Sequence, residues 1–102
     1  MKKKNKTGKI KKAQVSIVKR KGHTEAYDER KVYASCFFAC RNSHLGEKES
    51  EGIAGKVATA VTKWVDRKKF VSSDVIFRIL AEELRKHNED AAFMYATHRD
   101  IN

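Results

Sequence analysis

Apolar residues follow two different periods along this chain, and the changes of period mark out its elements. Val15-Ser16-Ile17-Val18 is a short run rich in β-branched residues and predicts a strand. Gly22 follows after Lys19-Arg20-Lys21, where a hairpin turn wants a residue free to take positive φ. Thr24-Glu25-Ala26-Tyr27 then returns as the second strand. From Asp28 the period becomes helical. Asp28 is a good N-cap, and Val32, Cys36, Phe37, Cys40 and Leu45 predict a helix running to about Leu45, with Gly46 as its stop. Ile53, Ala54, Val57, Val61, Trp64 and Val65 mark a second amphipathic helix, ending near the cations Arg67-Lys68-Lys69.

Phe70-Val71 predicts a very short third strand. Ser72 or Ser73 caps a third helix carrying Val75, Ile76, Ile79, Leu80 and Leu84. A break near His87-Asn88 leads to a fourth helix, with Ala91, Ala92, Tyr95 and His98 along one side. The expected fold class is α+β: a four-helix cluster capped by a small β-hairpin or three-stranded sheet.

Length and charge refine this picture. The 102 residues allow one domain with a modest core. Of the net charge of +10, +7 falls in residues 1–14, which hold seven lysines and no acid, leaving +3 for residues 15–102. Residues 1–14 carry no apolar periodicity and read as a disordered basic tail, ahead of one domain over 15–102. No run approaches the roughly 18 apolar residues of a membrane span, and the N-terminus lacks the pattern of a signal peptide. Two cysteines, Cys36 and Cys40, agree with a reducing compartment. The expected location is the cytoplasm, with no membrane partner.

Three segments carry a family resemblance. Val18-Lys19-Arg20-Lys21-Gly22-His23-Thr24-Glu25-Ala26-Tyr27-Asp28-Glu29-Arg30-Lys31-Val32 resembles the opening of the ATP-cone, the regulatory module of many ribonucleotide reductases and of the repressor of their genes. That family's pattern is a basic pair, a glycine turn, a glutamate, a capping acid or amide, and a lysine three residues on. Val71-Ser72-Ser73-Asp74-Val75 is similar to its turn into the third helix, and Met94-Tyr95-Ala96-Thr97-His98-Arg99 to the end of its last helix. The resemblance covers residues 15 to about 100, in order and in register. It implies nucleotide contacts at Ile17, Lys19, Arg20, Glu25, Asp28, Lys31, Ser72 and Val75, with ATP or dATP as the ligand and Mg²⁺ accompanying its phosphates. Lys21 stands where the family often has aspartate or asparagine, and Ile76 where some inhibitory reductase cones carry histidine.

The residue chemistry agrees with that implication. A triphosphate needs several cations together with backbone donors. Lys19, Arg20 and Lys21 sit beside the turn, and Lys31 in the first helical turn points back toward a helix N-terminus that favours anions. Glu25 and Asp28 offer acceptors for an exocyclic amine or ribose hydroxyls. Ile17 and Val75 offer apolar walls for a base.

Other constellations read more plainly. Cys36, Cys40 and His44 share a helix face at metal-ligand spacing, yet the same stripe includes Val32 and no second ligand cluster accompanies it. Core packing is the expectation, with no metal site. No Walker loop, activated nucleophile or acid–base carboxylate pair is present, so no catalytic residue is assigned and no enzyme activity is expected. The reading is a stand-alone regulatory domain that binds ATP or dATP as a nucleotide sensor. It acts by changing association with itself, as a homo-oligomer, or with a separate regulated protein such as a ribonucleotide reductase. The alternative is a nucleic-acid-binding protein in which the lysine tail supplies weak, non-specific affinity and the cone is a scaffold.

Overall fold

The computed structural model describes residues 15–18 and 22–101, with side chains as far as His98. The basic segment 1–14 and the three turn cations Lys19, Arg20 and Lys21 lie outside the described residues. The elements run β1 (Ser16–Val18), β2 (Thr24–Ala26), α1 (Glu29–Asn42), α2 (Glu47–Val65), β3 (Phe70–Ser72), α3 (Ser73–Arg85) and α4 (Glu89–Ile101). This is the expected α+β arrangement of four helices and a small sheet.

The sheet order is β2-β1-β3, antiparallel on one side of β1 and parallel on the other. Gly22 takes φ of +81° at the hairpin, as a turn between such short strands requires. Register sets Glu25, Ile17 and Val71 side by side on one rung. Alternation turns that rung toward the helices, where Ile17 is 7% and Val71 5% exposed. The neighbouring rungs, Ala26–Ser16–Phe70 and Thr24–Val18–Ser72, face the other way.

Each helix packs chiefly on two others, so that α1, α2, α3 and α4 close a ring. The core runs through Val32, Cys36 and Cys40 of α1, Val57, Val61 and Val65 of α2, Leu80 and Leu84 of α3, and Ala91 and Ala92 of α4. Cys36 and Cys40 are fully buried free thiols, and burial pushes the Cys36 thiol up to about 12. They occupy the core, as expected of small apolar side chains. Trp64 is only half-buried; it packs against the core with the Lys68 ammonium 4.7 Å from its ring centre.

The caps decide the boundaries. Asp28 caps α1, its Oδ1 accepting from the Arg30 amide at 3.0 Å. Ser72, rather than Ser73, caps α3 by accepting from the Val75 amide at 3.2 Å. Asn88 does the same for α4, accepting from the Ala91 amide at 2.8 Å. The junction of α1 and α2 departs from expectation: α1 ends at Asn42 rather than near Leu45. The His44 amide donates to the Arg41 carbonyl and the Leu45 amide to the Cys40 carbonyl, the bond pair of a Schellman ending. Leu45 therefore packs on the core from beyond the helix, which is why its spacing mimics helical continuation. The left-handed position belongs to His44, at φ of 72°, and Gly46 is the N-cap of α2 instead of a stop for α1.

A β-carbon in left-handed backbone costs roughly 1–2 kcal/mol, partly offset in a glycine by its freer unfolded chain. His44 is exposed, so little packing is lost on replacing it. His44→Gly is expected to stabilise the domain by about 0.5–1 kcal/mol in urea unfolding. A loss of stability would show that the His44 side chain contributes more than its backbone strain costs.

Candidate functional site

A pocket of about 300 Å³ opens where the sheet meets the starts of α1 and α3. Five elements of the chain contribute to it. Ile17 comes from β1, and Glu25 to Asp28 from β2 and the link that follows it. Helix α1 presents Lys31, Val32 and Ser35, which with Asp28 make the spacing i, i+3, i+4, i+7 of one helix face. Helix α3 presents Ser73, Ile76, Phe77 and Leu80 at the same spacing, and Tyr95 of α4 closes the end.

The two helices enter with their N-termini at the pocket, where unpaired amides and the helix dipoles favour negative charge. The ionic groups there are lightly held. Lys31 Nζ lies 3.3 Å from Glu25 Oε1, with the lysine side chain 71% exposed. The Arg30 guanidinium reaches both oxygens of Asp28 at 3.2 Å, with its own side chain 91% exposed. Arg30, first through its side chain and then through its amide, holds the Asp28 carboxyl below the usual carboxylate range. Exposed pairs of this kind contribute little to stability, so an incoming anion can take the lysine from its partner cheaply.

The remaining walls are firmer. The Tyr27 hydroxyl lies 2.8 Å from Thr62 Oγ1, which ties the β2–α1 link to α2. Burial pushes the Tyr27 phenol up, with the Thr62 contact partly opposing, so it stays protonated at neutral pH. Phe77 and Tyr95 stack with ring centres 5.0 Å apart, joining the pocket wall to α4. Ser35 Oγ donates to the Lys31 carbonyl at 2.9 Å.

Of the residues singled out from sequence, Ile17, Glu25, Asp28 and Lys31 come together in this pocket. Lys19 and Arg20 lie outside the described residues. Ser72 and Val75 flank the pocket without lining it; Ser73 and Ile76 take those places on the wall. The Ser72 hydroxyl is engaged as the cap of α3, while Val75 packs against the core. Ser35, Ser73, Ile76, Phe77 and Tyr95 were not among the expected contacts. The signal for the α3 set was present: once Ser72 is the cap, Ser73, Ile76, Phe77 and Leu80 form one face. Among the described residues no group of His, Cys, Asp and Glu is arranged to hold a metal ion, and no helix is long and apolar enough to cross a membrane.

A curated relative, the "Transcriptional repressor NrdR" of Prochlorococcus marinus (strain AS9601), is 26% identical over 83 residues, which is 81% of this chain and 51% of the relative. The chain thus spans about half the length of that protein. The family model described as "ATP cone domain" matches residues 15–101, from the start of β1 to the end of α4 and including every element that lines the pocket. The chain belongs to the ATP-cone family.

Proposed function

We propose that the protein is a regulatory domain that senses adenine nucleotide, binding ATP or dATP with Mg²⁺ in the pocket between β1 and the starts of α1 and α3. The observation that carries this reading is the division of the pocket into an apolar slot and a cationic mouth. Ile17 on the sheet side, with Ile76 and Phe77 on the α3 side, provides walls that suit a flat base. Glu25 and Asp28 sit beside the slot as acceptors for an exocyclic amine or ribose hydroxyls. Lys31 and the two helix N-termini face the phosphates, and Lys19 and Arg20, carried by the β1–β2 turn, add the further charge a triphosphate requires. Ser72 fixes the start of α3 as its cap, and Val75 packs against the core.

Binding is sensed rather than turned over. A ligand wedged against Phe77 and Tyr95 presses on α4, whose Phe93 is 69% exposed, close in the fold to α1 and its 63% exposed Phe38. The exposed face of α4 that carries Phe93 is the one whose contacts the nucleotide would change, in self-association or with a separate regulated protein such as a ribonucleotide reductase.

Calorimetric titration of the purified chain tests the site. Micromolar binding of ATP or dATP is expected, and Lys31→Ala weakens it by about 1.5–3 kcal/mol, or roughly ten- to a hundredfold in Kd. An unchanged Kd in that variant removes Lys31 from the site, and no heat with any purine nucleotide removes the reading itself.

Sedimentation tests the response. Saturating nucleotide is expected to shift the monomer–dimer constant by roughly five- to a hundredfold, the usual reach of a coupling free energy of about 1–3 kcal/mol. A chain that stays monomeric with and without nucleotide over a wide concentration range would place the response on a separate protein.

A further inference from the structure

The nucleotide pocket uses one side of the sheet and leaves unexplained a cluster on the other. Phe70 is 67% exposed although it lies in a strand. Its neighbour Val71 turns inward, so Phe70 points out beside Ser16 on one rung, with Val18 on the next. Immediately before it, residues 63–69 read Lys-Trp-Val-Asp-Arg-Lys-Lys, four cations against a single acid. Lys56 and Lys63 are exposed and seven residues apart, on the side of α2 away from the buried Val57, Val61 and Val65, and the exposed Arg67 follows in the turn past the helix end. The two lysines are about 10 Å apart along the helix, and the cations continue through Arg67 to Lys69 and Phe70.

The first described residues, Val15 and Ser16, lie beside the same place. The Ser16 amide donates to the Lys69 carbonyl oxygen at 3.1 Å. In sequence, the seven lysines of residues 1–14 precede this point directly. Lys68 is occupied over the Trp64 ring, which leaves Lys63, Arg67 and Lys69 facing outward.

We propose that this edge, formed by the C-terminal end of α2 and the outer face of β3, binds single-stranded nucleic acid, with Lys63, Arg67 and Lys69 on the phosphates and Phe70 as the plate on which a base stacks. The charge calls for a polyanion, and the aromatic ring narrows the choice. An anionic membrane would need a larger apolar area than Phe70 and Val18, which are surrounded by Ser16, Thr24 and Ala26. In a duplex the bases are already stacked on one another, so an exposed ring has nothing to receive; an unpaired base presents its face. The surface is set apart from the nucleotide pocket: Ile17 and Glu25 turn to one side of the sheet and Phe70 to the other, with only Ala26, two strands from Phe70 on the same rung, also lining the pocket.

The test is fluorescence anisotropy of the full chain with a labelled oligo-dT of about 16 nucleotides, a duplex of equal length, and phosphatidylserine vesicles. Salt-sensitive binding of the single strand in preference to the duplex is expected. Phe70→Leu keeps apolar bulk in the strand and removes the ring; it should weaken single-strand binding by roughly five- to a hundredfold while duplex binding stays as it was. Phe70→Tyr should retain the wild-type affinity. Changing Arg67 and Lys69 together to alanine should lower the salt slope by about 1 for each phosphate no longer neutralised. Thermal melting followed by circular dichroism confirms that each variant is folded. The proposal is overturned if Phe70→Leu binds the single strand as tightly as wild type. It is equally overturned if the Arg67 and Lys69 changes leave the salt slope intact, which would assign all binding to residues 1–14, or if only the vesicles bind.

Discussion

The site depends on β1 being the middle strand. Three strands of three residues each are too short to hold themselves together, and a two-stranded hairpin of this length would not persist in water. β1 is bonded on both sides, to β2 and to β3, and is further anchored where the Ser16 amide meets the Lys69 carbonyl and the Tyr27 amide meets the Val15 carbonyl. Ile17 at its centre is buried against the helical layer. Everything that bears on the pocket hangs from this strand. β2 brings Glu25, the link after it brings Asp28 to the start of α1, and β3 runs without a loop into α3. If Ile17 loses its place, the two helix N-termini lose the surface they face across.

The pocket combines rigid and labile parts in a way that suits a sensor. Its apolar walls belong to the core: Val32, Leu80 and the half-buried Ile76 pack against neighbours whether or not anything is bound. Its cations, Arg30 and Lys31, are exposed and held in surface pairs with Asp28 and Glu25, so they can change partners at little cost. Between the two lies the stacked pair of Phe77 and Tyr95, which connects the wall to the last helix. A ligand that engages both halves ties the hairpin to α3 and pushes on α4 through that pair. Such coupling needs no chemistry on the nucleotide, only a difference in affinity between two arrangements of α4.

Much of this was legible in the residues. The change of period at Asp28, the turn at Gly22 and the caps at Asp28 and Ser72 each follow from local chemistry, and the structure shows them where the chain calls for them. The junction of α1 and α2 was not, for two physical reasons. Leu45 keeps helical spacing while packing from a Schellman ending, and His44 takes a backbone position normally left to glycine. The first turn and more of α2, from Glu47, also hid itself, because the buried residue there is Ser50, which apolar periodicity does not detect. On the site, sequence brought out the acidic and basic residues of the β2–α1 segment. The aromatic end of the pocket depends on how α3 and α4 pack, and no local pattern states that Phe77 and Tyr95 will meet.

The two surfaces proposed for anionic ligands lie on opposite sides of one small sheet, a nucleotide on the helix side and a polymer on the outer side. The central claim concerns the first, and amide shift mapping by NMR during titration with ATP addresses it most directly. The account predicts shifts concentrated at Ile17, Glu25, Lys31, Ser35, Ser73 and Phe77, extending along α4 from Tyr95. Shifts gathered instead around Arg67 and Phe70, with the pocket amides unmoved, would contradict it.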